Sequence, residues 1–456
     1  VPEIVRVIGG GLAGAEAAHQ LTRCGIAVEL CEMRPATKTD AHATGDLAEL
    51  VCSNSLRSNL LSAPAGLLKE EMRRLDSLVI RLAEAHRLPA GSALAVDRAG
   101  FARALTETIA SRRGIKIIRR EVTEIPPGLT IIATGPLTAP ALATRLSAML
   151  GEEHLYFYDA ISPIVAAESI EMSVAYRAAR YGQGEDDYIN LPLNQEQYYR
   201  FVAALKGAER VPTRSFERFV PFEGCMPIEE MADRGIETLA FGPMRAVGLV
   251  DPRTGKRPYA VVQLRQENRE GTLYNLVGFQ TKMTYPEQRR VLALIPGLEN
   301  AEYVRLGSLH RNTFINAPAH LNPTLQWRGS REIFFAGQLT GVEGYIESAA
   351  TGILAGINAA RLLTGQALLV PPPTTALGAL LRYISDSERK RFQPMNVNFG
   401  LLPPLAQRLR GKAKKEMMAR RALADLDAWI GQSHIAAPVL DRPKPTASSF
   451  DKAAAP

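Results

Sequence analysis

The stretch Ile4-Val5-Arg6-Val7-Ile8-Gly9-Gly10-Gly11-Leu12-Ala13-Gly14 decides the fold. A short apolar, β-branched run enters three consecutive glycines, after which Ala13, Ala17 and Leu21 recur at helical spacing. The pattern predicts a strand, a tight turn and a helix. Gly9, Gly11 and Gly14 make up GxGxxG, and Gly10, Leu12 and Ala13 complete the loop. In such a loop the first glycine permits the turn and the second lets backbone approach a pyrophosphate. The third lets helix and strand pack closely, while the helix N-terminus adds positive potential. Gly25 reads as the helix stop, and Ile26 to Cys31 as a second strand ending on Glu32. A carboxylate about 20 residues beyond the glycines suits the hydroxyls of a ribose. A plain glycine-rich turn is the alternative, but strand, helix and acid in register favour dinucleotide binding.

Further along, Leu129 to Ala133 reads as a buried strand broken by Thr134-Gly135-Pro136. Ile333 to Ala336 leads into Gly337 and then a small-residue helix from about Tyr345 to Leu363, striped by Ala349, Ile353 and Ile357. Strands followed by helices indicate an α/β fold, a parallel sheet covered on both faces. Between 151 and 299 the texture changes to mixed strands, among them Tyr188-Ile189-Asn190, Ala260 to Leu264 and Leu273 to Val277. We therefore expect a Rossmann-like dinucleotide domain split over 1–150 and 300–370, with an inserted α+β domain at 151–299. Val370-Pro371-Pro372-Pro373 reads as a stiff linker into a C-terminal helical segment, 371–440, and 441–456 as a disordered tail. No second GxGxxG follows, so one dinucleotide is held firmly and any nicotinamide binds transiently. No internal repeat is evident.

Length and composition agree. At about 150 residues per domain, 456 residues make roughly two to three domains. Hydrophobic residues at 46% and charged residues at 22% belong to soluble globular proteins and argue against disorder. No apolar run approaches the roughly 18 residues of a membrane-spanning helix, and the opening strand leads us to expect no leader. The four cysteines, without a CxxC, exclude a disulfide framework, a zinc ribbon and a thioredoxin-like dithiol. A cytoplasmic protein without membrane association is the expectation. Lys and Arg exceed Asp and Glu by 54 to 47, which permits a polyanionic partner. The surplus gathers near the C-terminus, where Arg408, Arg410, Lys412, Lys414, Lys415, Arg420 and Arg421 face the single acid Glu416. This is either a solvated helix face or a phosphate-binding stripe.

Cys24, on the first helix, and Cys31, in the second strand, read as core residues. Cys52 is followed by Ser53-Asn54-Ser55, and Cys225 sits between Gly224 and Met226-Pro227 on a loop. Reactive thiolates need partial exposure and positive surroundings, and for both of these a structural and a reactive role stand open. His310 lies in a polar cluster, where a hydrogen-bonded side chain is the simpler reading. Asp97-Arg98 is either a paired site or a helix cap with a surface partner. No spacing suggests a zinc site, a P-loop or a Ser/His/Asp triad.

Taken together, several motifs resemble one family. They are Val7 to Ala18, Glu32-Met33-Arg34-Pro35, Val51-Cys52-Ser53-Asn54-Ser55-Leu56, Ala95-Val96-Asp97-Arg98 and Arg180-Tyr181-Gly182. Phe241-Gly242-Pro243-Met244, Gly248 to Lys256, His310-Arg311-Asn312-Thr313 and Gly341 to Gly352 continue the series. Over about residues 4–430 the chain resembles the flavin- and folate-dependent tRNA (uracil-5-)-methyltransferases, the TrmFO family, relatives of the MnmG/GidA flavoproteins. The glycine fingerprint alone is common to FAD and NAD enzymes.

The resemblance implies an FAD-binding domain of the glutathione-reductase type. The phosphate loop would be Gly9 to Gly14, with Glu32 on the adenosine ribose and Thr134, Gly135 and Gly337 closing around the rest. It further implies methylenetetrahydrofolate as carbon donor, NAD(P)H as reductant and 5-methyluridine in the tRNA T-loop (position 54) as product, with no obligatory protein partner. Cys52 and Cys225 match the family's two functional cysteines, and His310 a histidine stacked on the folate pterin. C5 of uracil is a poor nucleophile, but a thiolate added to C6 makes an enolate whose C5 attacks a methylene. Two electrons then convert methylene to methyl, which accounts for a flavin. Cys225 is slightly preferred as that nucleophile. Cys52 would then protect or prime the flavin-methylene species, or remove the C5 proton. The target base must leave its stack, and Arg408, Lys412, Lys414 and Lys415 are the candidates for holding the tRNA backbone. Rival readings are an FAD-dependent oxidoreductase of small metabolites, the wobble-uridine chemistry of the MnmG family with its partner GTPase, and the same methylation of a ribosomal RNA uridine.

Overall fold

β1 (Ile4–Ile8) pairs in parallel with β2 (Ala27–Glu32) on one side and with Thr130–Ile132 on the other. Ile333–Phe335 adds beyond Thr130–Ile132, and Ile115–Arg119 beyond β2, both also parallel. The result is a five-stranded parallel sheet with β1 at its centre. The computed structural model describes residues 4–39, 41–151, 155–182, 186–212, 226–389 and 392–435, with only the backbone of 155–159, 310 and 311. The central strand is buried because both faces are covered, and Val5 and Val7 have no exposed surface.

α1 (Leu12–Arg23) lies against the long helix Tyr345–Leu363, which is buried continuously from Ile346 to Ala360. Small residues allow this contact. A Cβ on Gly352 would collide with the Ala13 carbonyl, and one on Gly356 would lie 2.7 Å from the Ala17 carbonyl oxygen. A helix buried on all sides must be central, and this one bridges the first and last parts of the sheet. Two buried carboxylates fix neighbouring helices by their N-termini. Glu16 accepts the backbone N–H groups of Leu78 and Val79. Glu71 accepts those of Ala376 and Leu377. Burial pushes Glu16 up to about 7 and Glu71 up to about 8.

A second, six-stranded sheet has the order Tyr176–Arg177, Tyr188–Leu193, Ala260–Gln266, Leu273–Leu276, Ile164–Ala166, Tyr303–Arg305. Its pairings are antiparallel. It has its own core, in which Tyr198, Phe201 and Leu205 of helix Gln195–Lys206 pack on Ile189, Leu191 and Leu264. A ribbon of Leu155–Ala160 and Leu309–Phe314 joins the two parts of the chain. A three-stranded sheet, Ser55–Ser58, Ala93–Val96 and Arg87–Leu88, was not apparent in the sequence.

The C-terminal helices Ala376–Ser385 and Gly411–Ser433 share the first core, which Leu377, Leu380, Met418 and Ala422 enter. The basic helix begins at Gly411, so Arg408 and Arg410 precede it rather than lying on it. Cys24 also departs from expectation: α1 ends at Arg23, and Cys24, as its cap, is exposed rather than part of the core. The expected tail, 441–456, lies outside the described residues. No described helix is long and apolar enough to cross a membrane.

Candidate functional site

A cavity of about 410 Å³ opens at the carboxyl ends of the parallel strands, where open α/β sheets bind ligands. Gly9 to Ala13, Glu32, Thr134, Gly135 and Gly337 all line it. The glycines divide their work as the sequence suggested. Gly9 has φ +104°, and a Cβ there would strike the Ala133 carbonyl. Gly14 lies off the cavity and packs α1 on β1, since a Cβ there would collide with the Gly9 carbonyl oxygen. A Cβ on Gly11 would meet no protein atom within 4 Å, which leaves this backbone open to a ligand. Gly11 is also the N-cap of α1 without a side-chain cap, so the helix presents unclaimed N–H groups to the cavity.

Glu32 is 5% exposed and is held from two directions. One oxygen accepts the Gly10 N–H at 2.8 Å, and the other accepts Arg34 Nε at 2.9 Å. Burial pushes its carboxyl up, but the Arg34 guanidinium and these hydrogen bonds outweigh burial and leave it below the usual carboxylate range. The anion is thus preformed at the cavity wall. Thr134 Oγ1 lies 2.7 Å from Thr138 Oγ1, and the Gly337 N–H donates to Thr351 Oγ1 at 2.8 Å. Asn275, a further lining residue and 2% exposed, has an Nδ2 without a partner among the described residues. An orphaned buried donor, an open glycine cradle and a preformed carboxylate together fit a bound dinucleotide such as FAD.

Cys52 lines the same cavity, and guanidinium groups grip the segment that carries it. Arg98 Nη1 donates to the Leu50 carbonyl at 2.7 Å, and Arg305 Nη1 to the Val51 carbonyl at 3.2 Å. Arg265 donates to Ser53 Oγ and to Asn54 Oδ1, each at 2.8 Å. Arg98 is itself paired with buried Glu267 at 3.0 Å. Burial pulls Arg305 down to about 10. The Cys52 sulfur lies 3.0 Å from Tyr345 Oη, whose oxygen accepts the Cys52 N–H at 2.9 Å. Burial raises the Tyr345 hydroxyl well above its ordinary value, so it stays protonated. This loop thiol therefore sits in the positive, hydrogen-bonded surroundings that favour reactive thiolates.

Asp97 and Arg98 resolve into two separate tasks. Asp97 caps helix Arg98–Ser111 through the Gly100 N–H, while Arg98 crosses to the Cys52 segment and Glu267. Arg265, Asn275 and Tyr345 were missed in the sequence reading. Arg265 did carry a signal, a charge within the apolar run Ala260 to Leu264 and its continuation. Cys225 lies outside the described residues. His310 lies in strand Leu309–Phe314, where its backbone pairs with Asp159, and its side chain is outside the described set. Arg408, Lys412, Lys414 and Lys415 are exposed and do not line the cavity. Lys412 approaches Glu416 at 3.7 Å, and Arg421 is spent on the Pro403 and Pro404 carbonyls.

Comparison with known proteins identifies relatives of the chain. The family model described as "Glucose inhibited division protein A" (GIDA) matches residues 4–367. The chain is 59% identical to "Methylenetetrahydrofolate--tRNA-(uracil-5-)-methyltransferase TrmFO" of Geobacter sulfurreducens, over 93% of this chain and 98% of that one. It is 56% identical to the protein of the same name from Heliobacterium modesticaldum, over 94% and 99%. Among solved structures, GidA of Aquifex aeolicus superposes with a TM-score of 0.70 at 15% identity, covering 95% of this chain and 74% of that one. That likeness shows the shared fold. With more than half its residues identical to these relatives over nearly its whole length, the chain belongs to the TrmFO family of methylenetetrahydrofolate--tRNA-(uracil-5-)-methyltransferases.

Proposed function

We propose that this protein methylates C5 of a uracil in tRNA with methylenetetrahydrofolate as carbon donor, as the name shared by its relatives describes, and that it does so on bound FAD. The observation that carries the reading is the placement of Cys52 on the same cavity as the Gly9–Gly14 loop and Glu32. Bound FAD, once reduced, supplies the two electrons that turn a methylene into a methyl. Gly9 to Ala13, Glu32, Thr134, Gly135 and Gly337 are the residues that would hold it.

The chain's own part is to hold and activate the pyrimidine. Cys225 is our assignment for the thiolate that bonds to uracil C6 and is expelled when the C5 proton leaves. Cys52 is the second thiol, guarding the one-carbon unit or accepting the C5 proton, with Tyr345 Oη as its hydrogen-bond donor. His310 would lie against the pterin. The T-loop uridine is the target, NAD(P)H the reductant and the cytoplasm the setting. Arg408, Lys412, Lys414 and Lys415 would bear on the tRNA backbone, because lysines in the first turns of a helix oppose its dipole and do not serve helix stability.

The test incubates the purified flavoprotein with NAD(P)H, labelled methylenetetrahydrofolate and either unmodified tRNA transcript or ribosomal RNA fragments, then identifies the labelled nucleoside. Label in 5-methyluridine at the T-loop is expected. Label only in ribosomal RNA fragments, or NAD(P)H oxidation without any RNA product, would overturn the reading.

A further inference from the structure

Val261, Gln263 and Arg265 alternate along strand Ala260–Gln266 and so share one face of the six-stranded sheet. Arg265 ends this face at the cavity, where it holds Ser53. Gln263 Oε1 accepts Arg180 Nε at 2.9 Å. Val261 is capped by Ala246, Leu249 and Ala178, a small core that pins the loop around residue 248 to the sheet. Two strand residues span about 7 Å, so Gln263, which anchors Arg180, leaves the strand about that far from where Arg265 does.

Tyr181, next to Arg180, is held in an unusual way. Its φ of 58° is left-handed, a region that side chains other than glycine rarely adopt. Its N–H donates to the Gly248 carbonyl at 3.0 Å, and its ring lies on the Gly248 backbone. A Cβ at Gly248 would stand 2.8–2.9 Å from three ring atoms, so only glycine leaves room for the ring. Tyr181 is nevertheless 60% exposed as a residue. An aromatic ring seated on a backbone, with one side left to solvent, is a platform rather than a piece of core.

Residues 173–182 and 241–257 carry Arg177, Arg180, Arg245, Arg253, Lys256 and Arg257, with Glu171 just before and Glu185, Asp186 and Asp187 just after the first stretch, and with one acid within them, Asp251. That acid is occupied by Arg253 at 2.8 Å. Asp187, a little further along, is turned to the Gly91 N–H. Arg180 Nη1 also donates to the Val247 carbonyl at 2.8 Å, which ties it to the loop that carries exposed Arg245. Pro243, in the same loop, sits against Gly278 of the cavity wall.

We infer that Tyr181 is a stacking platform for an unpaired RNA nucleotide beside the target uridine, with Arg180 and Arg245 on the adjoining phosphate. The inference rests on the tRNA reading above and adds a contact on the inserted sheet, distant in sequence from the basic C-terminal helix. Every base has a π-face, so such a platform grips a splayed loop without reading sequence, and adjacent cations hold its backbone. A protein partner would meet the same ring, but Arg180, tied to the loop that carries exposed Arg245, sets two cations beside it that suit a phosphate.

The test measures binding of unmodified tRNA transcript to full-length, flavin-loaded wild type, Tyr181→Ala, Tyr181→Phe and Arg245→Ala at several salt concentrations. Thermal midpoint and flavin content serve as fold controls. Tyr181→Ala should raise Kd roughly 5- to 150-fold with the salt slope kept, while Tyr181→Phe stays within about twofold. Arg245→Ala should lower the salt slope by about one phosphate contact. As a measurement independent of the variants, a transcript carrying 4-thiouridine in its unpaired loop is photo-crosslinked to wild type, and the crosslinked peptide should contain Tyr181 or Val247. Wild-type affinity in Tyr181→Ala, or crosslinks confined to other peptides, would overturn the platform alone. Failure of wild type to bind the transcript at low salt would overturn both the platform and the tRNA reading.

Discussion

Tyr345 Oη and Cys52 Sγ, 293 residues apart in sequence, lie 3.0 Å from each other. The Cys52 and Ser53 N–H groups both point at the same hydroxyl oxygen, at 2.9 and 3.3 Å. With its lone pairs engaged, the hydroxyl has its proton free to donate to sulfur. The first turn of the long buried helix thereby orients a thiol on a loop from the opposite end of the chain.

Tyr345→Phe removes this donor and strands two N–H groups. A thiolate deprived of a hydrogen-bond donor is less favoured, so Cys52 should react with iodoacetamide several-fold more slowly at pH 7, and methyl transfer should fall about tenfold. Alkylation followed by peptide mass spectrometry reads the first. An unchanged alkylation rate would show that the hydroxyl does not act on the sulfur.

Arg98→Ala leaves Glu267 buried without its cation and releases Leu50 and Val51. Breaking one side of a buried pair costs about 3–5 kcal/mol. We expect a clear drop in thermal midpoint and loss of activity, with Arg98→Lys recovering stability only in part because lysine cannot reproduce the fork.

Gly11→Ala and Gly14→Ala separate ligand binding from folding. At Gly11 a methyl meets no protein atom, so the fold should survive while flavin content falls. At Gly14 the same methyl strikes the Gly9 carbonyl, so the protein should be poorly folded with or without flavin. Absorbance near 450 nm per folded protein distinguishes the two, and equal flavin retention in Gly11→Ala and wild type would sink the cradle assignment.

Replacing Lys412, Lys414 and Lys415 together by Ala should weaken tRNA binding and reduce the log–log salt slope by about 2–3. Thermal stability should hold or rise, since cations at a helix N-terminus oppose the dipole. A slope equal to wild type would remove this helix from the RNA contact.

Glu71 links stability to pH. Its carboxyl is raised from an ordinary 4.5 to about 8, so between these values the folded state binds more protons than the unfolded one. Its contribution to stability is complete below pH 4.5 and is lost as pH rises through 8. Denaturant unfolding at pH 6 and pH 8.5 should show a loss that Glu71→Gln diminishes, and an equal loss in the variant would exclude Glu71 as its source.

Local signals in the sequence were enough to locate the strand and helix ends around the cavity. The glycine loop, Glu32 and the helix Tyr345–Leu363 all follow from spacing, because each is set by its immediate neighbours. Arg98, Arg265 and Arg305 converge on residues 50–54 only after a parallel sheet and an antiparallel sheet have met, and no local pattern encodes such a meeting. The same holds for Tyr345, which reads as an ordinary first-turn residue until Cys52 is seen beside it. Cys24 failed as a core residue for a simpler reason: a helix stopping one residue earlier turned it outward.

The parallel sheet also imposes an order of assembly. Thr130–Ile132 is interior only because Ile333–Phe335 flanks it, and some two hundred residues of chain separate the two. During synthesis the nucleotide-cradling half therefore emerges with an unmated edge and waits for its far neighbour. Closing so large a gap is slow, and an uncovered edge invites pairing with other nascent chains. This makes the protein a candidate for chaperone assistance until residue 333 has left the ribosome.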